Sequence, residues 1–161
     1  MDKLFKLVNL YVASLKAIVH IHQHNHWTTK GDSFYADHLL FSKVYESAQE
    51  DLDLAAEKFI GLFSSSSVDF DMQNDLLNKI LKKYSTIIQN NLDSNGDVSA
   101  EGHVKLSLSI EKDFLKMSES AYAFFEKEGK LSLGLDDMLA SIASSREEAI
   151  YLLNQRLNDM S

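Results

Sequence analysis

Apolar residues recur at steps of three and four over the first 28 positions of the chain. One stripe reads Leu4, Val8, Tyr11, Leu15 and Ile18 and continues into His22 and His26, while a second, Leu7, Leu10, Ala17 and Ile21, lies beside it and is interrupted by Ser14. The spacing predicts a helix over about 2–28, and so wide an apolar arc needs neighbours on more than one side. Either a central position in a bundle or a bundle position that also meets a second subunit satisfies it. Lys30-Gly31-Asp32-Ser33 then predicts a stop and a restart, with Gly31 in a left-handed C-terminal position and Asp32 or Ser33 capping the next helix. Phe34, His38, Phe41, Tyr45, Ala48, Leu52, Ala55 and Phe59 carry that second helix over about 34–63, closed by a polar linker at 64–67.

A shorter helix is expected from Asp71 or Asn74 through Leu76, Leu77, Ile80, Leu81, Tyr84, Ile87 and Ile88. The loop at 91–97 alternates Asn91, Asp93 and Asn95 before Gly96, in the manner of a calcium loop. Its twelfth position is Gly102, however, where the bidentate glutamate of such a loop belongs, so a solvated turn is expected. A third long helix over about 99–127 ends at Glu128-Gly129-Lys130. A fourth, over about 135–158, turns Leu139, Ile142, Ala149, Ile150, Leu153 and Leu157 inward. With a long connection between the second and third helices, those two must run parallel. The expected fold is all-α: a ferritin-like four-helix bundle with a short extra helix in the crossover. No repeat or boundary divides the chain, so residues 1–161 are read as a single domain.

Composition narrows the function. Proline is absent and glycines number only six, which suits long uninterrupted helices and not a turn-rich β protein. Without cysteine there is neither a disulfide framework nor a thiolate metal site. The opening residues move straight into helical periodicity without a signal-peptide pattern, and no apolar run approaches a membrane span, so a cytoplasmic protein with no membrane partner is expected. The net charge of −8 and the lack of a basic tail argue against direct DNA binding and suit a protein that attracts cations.

Five of the six histidines fall between His20 and His38, an enrichment that points to chemistry. His26 and His38 flank a short turn between antiparallel helices and can converge. Asp53 and Glu57, at i and i+4, share a helix face. Yet His38 and Glu57 stand nineteen residues apart on one helix, about 28 Å along its axis. One ion cannot touch both. An antiparallel copy of the second helix, related by a two-fold axis, would set His38 of one chain beside Asp53 and Glu57 of the other, and isologous symmetry would make two such sites per dimer. The axis would pass near residues 45–48, where Ser47 and Ala48 are small enough to allow close approach. Imidazole and carboxylate together suit iron, with zinc or manganese possible at the same site. His20 and His24 are expected at the surface, and His103 without a metal role.

These residues resemble those of the mini-ferritins of the Dps type (DNA-binding proteins from starved cells), through His26-Trp27, Lys30-Gly31, Phe34, His38, Leu52-Asp53 and Ala56-Glu57 with matched gaps. The third and fourth helices agree only in general pattern. The resemblance implies a ferroxidase: a homo-oligomeric, hollow dodecamer, joined at two-fold interfaces through the second helix, that oxidises Fe(II), typically with hydrogen peroxide, and stores the ferric product. It implies His26 and His38 as ligands from one subunit and Asp53 and Glu57 from its neighbour. Trp27 would lie beside the site, either shielding the metal and intercepting radicals or simply packing at the interface. The chain departs from the pattern at Ser42, where the family usually has an aspartate. His22, one turn before His26, would lie across from Ser42. It either replaces the missing ligand or hydrogen-bonds inside the bundle. A cage with a weakened or inactive site, acting as a structural, metal-sequestering or DNA-protecting protein, is the competing reading. A ferritin with its di-iron site inside one bundle is disfavoured, since no Glu-x-x-His motif occurs.

Overall fold

The computed structural model describes residues 2–161. Four long helices, α1 (Lys3–Thr28), α2 (Phe34–Phe63), α5 (Ala100–Lys127) and α6 (Leu133–Asp159), make the bundle. The crossover carries a 3-10 turn (Ser65–Ser67) and two shorter helices, α3 (Phe70–Lys82) and α4 (Ser85–Gln89). The expected single crossover helix is therefore broken, by a turn at Lys83-Tyr84. The described residues contain no strand, only one isolated bridge between Leu92 and Val98.

Helix ends follow local chemistry. Gly31 and Gly129 take φ of +96° and +63° as the left-handed stops of α1 and α5. Asp69 accepts from the Met72 amide at 2.7 Å and caps α3, two residues ahead of the expected Asp71. Ser132 accepts from the Leu135 amide and starts α6 early. Ser33 precedes α2 but its side chain makes no capping bond. Gly102, in the first turn of α5, has no room for a side chain: a Cβ there would lie 2.6 Å from Asn91 Cβ. That crowding explains why the 91–102 segment ends on glycine where a calcium loop needs glutamate. Asp93 instead folds the loop on itself, accepting from the amides of Asn95 and Asp97.

Side-chain bonds fix the helix directions. Asn25 near the C-terminus of α1 reaches His103 near the N-terminus of α5, and Asp37 at the start of α2 holds Arg156 at the end of α6. α2 and α5 therefore run parallel, as expected from the long crossover. The interior then divides in two. At one end Tyr11 meets Phe59 and Phe114 edge-on at 5.5 and 5.2 Å, and Phe59, Phe63 and Phe125 stack beside them. Toward the other end a second, smaller apolar cluster of Phe41, Val44, Val104, Leu108, Ala149 and Leu153 shares the interior with buried polar residues, among them His22, Asn25, Ser107, Glu111 and Arg146. The crossover helix α3 lies on α1. By length and composition α1 could cross a membrane, contrary to expectation. More than half of its most apolar stretch is nonetheless buried inside the bundle, and helix packing accounts for that apolarity.

His103, near the start of α5, is buried. Its Nε2 meets Thr28 Oγ1 at 3.0 Å. Burial first, and the nearby charge of His24 second, push its pKa below the ordinary 6.5. A histidine with a lowered folded-state value contributes stability above its unfolded value that is lost as pH falls through the folded value. Thermal stability should therefore decline as pH falls below the ordinary 6.5 in the natural chain, and less steeply in a His103→Gln variant. Equal slopes in the two chains would show that His103 contributes none of that decline.

Candidate metal centre

The α1–α2 turn returns the chain so that His26 and His38 face each other. The fit is reciprocal: His26 Nδ1 lies 2.9 Å from the His38 carbonyl oxygen and His38 Nδ1 lies 3.0 Å from the His26 carbonyl oxygen. A carbonyl only accepts, so each Nδ1 carries the proton and donates it. The two rings stack with centroids 3.8 Å apart and planes 24° from parallel. Phe34 stacks on the far side of His38 at 5.1 Å, and Tyr45 meets His26 edge-on at 5.3 Å. The imidazoles are thus clamped in an aromatic column, with Nε2 on each ring left as the atom that can bind. A backbone carbonyl on one nitrogen and a metal on the other is the arrangement that orients ligating histidines.

Asp53 and Glu57 project from the exposed face of α2, one turn apart. Glu57 borders an open depression of about 380 Å³ with Leu54, Lys58, Gly61 and Leu62. Among the described residues no three His, Asp or Glu side chains of one chain are disposed around a common metal position. The structure brings the histidine pair together within the chain and leaves the carboxylate pair separate. Trp27, beside His26, is 66% exposed.

One expectation changes, that of Ser47 and Ala48 at the outer face, while Ser42 and His22 find their partners within the subunit. Ser42 donates to Glu46 Oε1 at 3.1 Å, one turn along α2, so its hydroxyl is directed along its own helix. His22 hydrogen-bonds inside the bundle, the second of its two expected roles. It is fully buried, with Nδ1 on Ser107 Oγ at 2.9 Å and Nε2 on Glu111 Oε1 at 2.7 Å, so both ring nitrogens are committed inside the bundle. Ser47 and Ala48 do not lie on the outer face. Ala48 is fully buried in the core and Ser47 bonds to Ser145 and Arg146. The exposed residues at that level of α2 are Glu46, Gln49 and Glu50.

The sequence reading missed Phe34 and Tyr45 as clamps, although both stand on the same helix as His38. It also missed Arg146, Glu111 and Asp51. Each sits in register with core residues of its helix: Arg146 between Ile142 and Ala149, Glu111 between Ser107 and Phe114, Asp51 between Ala48 and Ala55. A charge in core register on three helices is a readable signal, since buried charges need partners.

No family profile matches the chain, and no characterised protein matches it in sequence. Solved structures do. Dps from Thermosynechococcus elongatus superposes with a TM-score of 0.75 over 96% of this chain and 90% of that one, at 14% identity. Dps from Microbacterium arborescens in the high iron form gives 0.73 over 98% and 97%, at 18% identity. Dps from Vibrio cholerae O1, described as a member of a broad superfamily of ferritin-like diiron-carboxylate proteins, gives 0.72 over 96% and 89%, at 17% identity. The chain is an all-α ferritin-like bundle, and its fold is of the Dps type.

Proposed function

We propose that the chain is an iron-oxidising mini-ferritin. Its working unit is a two-fold pair of subunits, and its substrate is ferrous iron bound between His26 and His38 of one subunit and Asp53 and Glu57 of the other. The observation that carries this reading is the reciprocal Nδ1–carbonyl clamp, which leaves Nε2 of both histidines free to ligate. Two ferrous ions give up one electron each, and one hydrogen peroxide takes both electrons together with two protons from water, its O–O bond breaking to give two water molecules. The carboxylates hold the more highly charged ferric product, while the stacked imidazoles remain fixed. Twelve subunits in a hollow shell would then store the ferric mineral.

The test is peroxide-dependent oxidation of Fe(II) by the assembled protein, followed by ferric absorbance, together with mass by light scattering. Twelve copies of the 18.2 kDa chain come to roughly 220 kDa. A mass of one or two subunits excludes the cage. One observation favours a second reading: Ser42 offers a hydroxyl where a carboxylate would add charge, and that hydroxyl is engaged with Glu46. On that reading the same cage sequesters metal without oxidising it quickly. An assembled shell that binds iron but shows no peroxide-dependent rate selects it. The acidic net charge of −8 disfavours direct DNA contact in either case.

His22→Ala separates the interior from the interface. With both imidazole nitrogens bonded in the core, its loss should lower stability by about 2 kcal/mol or more and leave the oxidation rate per assembled subunit unchanged. A slowed rate in a shell of normal mass would restore His22 to the centre.

A further inference from the structure

Asn95 is the one asparagine of the chain that precedes a glycine, and the Asn95-Gly96 pair stands in the turn at 91–97. Both residues are exposed. Gly96 takes φ of +81°, and the space where a Cβ would stand is open. Every other asparagine lies in α1, α3 or α6 or, as with Asn90 and Asn91, is followed by a residue that carries a side chain. A helix holds the peptide N–H of the following residue in a bond to the turn behind it. In the Asn95-Gly96 pair the nitrogen next to the side-chain amide is as unhindered as a chain can make it.

The bonds of this turn are local. Asp93 Oδ1 accepts from the amides of Asn95 and Asp97 at 2.8 and 3.1 Å, and the Gly96 amide donates to the Asp93 carbonyl at 3.0 Å. The last of these must open before the Gly96 nitrogen can react. Exposed backbone bonds with few buried apolar contacts around them open at far less cost than the bundle itself.

We propose that Asn95 is a site of spontaneous deamidation in the folded chain. The Gly96 nitrogen gives up its proton to hydroxide and attacks Cγ of Asn95. The new N–Cγ bond closes a succinimide ring, the Cγ–Nδ2 bond breaks, and Nδ2 takes a proton from water and leaves as ammonia. Water then adds to one of the two ring carbonyls and cleaves its bond to nitrogen. Opening at Cγ gives aspartate, and opening at the main-chain carbonyl gives isoaspartate, with the backbone rerouted through the side chain. Nothing is oxidised or reduced. Either product adds a carboxylate between Asp93 and Asp97, and Asp97 pairs with Lys30 in the link between His26 and His38. Isoaspartate also lengthens the main chain inside the turn, so the amides on either side no longer reach Asp93 Oδ1 together. The reaction proceeds whether or not the interface centre oxidises iron.

The assembled chain, held in mildly alkaline buffer and then digested with trypsin, tests the proposal. The peptide 84–105 should exchange NH for oxygen at Asn95 before any other asparagine of the chain converts, and isoaspartyl methyltransferase should label it. Conversion should quicken as hydroxide rises. In Gly96→Ala the lead of Asn95 over the other asparagines should be lost, because a Cβ hinders the nitrogen. Alanine at this positive φ also strains the turn, so the natural chain unfolded in urea supplies a second comparison. An Asn95 that stays intact in the folded chain while the unfolded chain converts overturns the proposal. Conversion of another asparagine first, or an undiminished lead in Gly96→Ala, overturns it as well.

Discussion

Subunits carrying His38→Ala and subunits carrying Glu57→Gln, each inactive alone, should recover about a quarter of the natural oxidation rate when co-expressed in equal amounts. The expectation rests on symmetry. In a pair that combines the two variants, one site draws an intact His38 and an intact Glu57 from opposite chains, and the other site lacks both. Random pairing makes half the dimers mixed, and half the sites in each mixed dimer are complete. Each variant alone retains every site but with one ligand missing from each. Alteration of groups that merely orient a ligand costs roughly 10–100-fold in affinity or activity, and loss of a ligand itself costs at least as much. A mixture that stays as inactive as its components, in shells shown by mass to contain both chains, would mean that the histidines and carboxylates do not meet across the interface.

Glu111→Leu should be the most damaging single change inside the bundle, at about 3–5 kcal/mol. Glu111 is the joint between His22 and Arg146, and all three are fully buried. Leucine leaves the His22 Nε2–H without an acceptor and leaves Asp51 as the one carboxylate on Arg146. Removing one member of a buried charge cluster costs more than the cluster was worth, because the desolvated partners stay behind. At this chain length the loss lowers the melting temperature by about 6–20 °C. Replacing His22, Asp51, Glu111 and Arg146 together by apolar residues of similar volume should recover much of that stability, since a packed apolar interior needs no counter-charge. Thermal melts of the single and quadruple variants check both statements. A Glu111→Leu chain as stable as the natural one would show that the cluster is solvated and not sealed.

The bundle is legible in the sequence because long helices advertise themselves through periodicity, and no proline interrupts it. α1, α2 and α5 fall within a residue of where the apolar spacing predicts them. The crossover is less legible. Tyr84, Ile87 and Ile88 continue the apolar pattern past the break at Lys83-Tyr84, so periodicity alone does not reveal the turn. The histidine pair is readable from the short link between two antiparallel helices, but its clamp is not. Backbone carbonyls carry no side-chain signature, and the Nδ1 bonds of His26 and His38 go to backbone. Ser47 and Ala48 mislead for a different reason. Their position midway between His38 and the carboxylates fits a two-fold axis, but Ala48 lies in the same stripe as Val44 and Ala55 and is used up in the subunit's own core. The place of His22, across from Ser42 and one turn before His26, suggests a ligand, whereas its register with Leu15 and Ile18 already places it inside.

The stitching of His26 to His38 has a bearing on the order of events in a newly made chain. The two residues are separated by twelve positions, and closing a segment of about ten residues takes on the order of 10–100 ns. Such proximity puts the imidazole half of the centre among the cheapest long-side-chain pairings the chain can make. A freshly synthesised subunit would carry a ready nitrogen clasp before it meets any neighbour, and docking would then bring the oxygen half. Under the proposed function, metal capture and shell growth would be successive steps, with the clasp waiting and the carboxylates arriving.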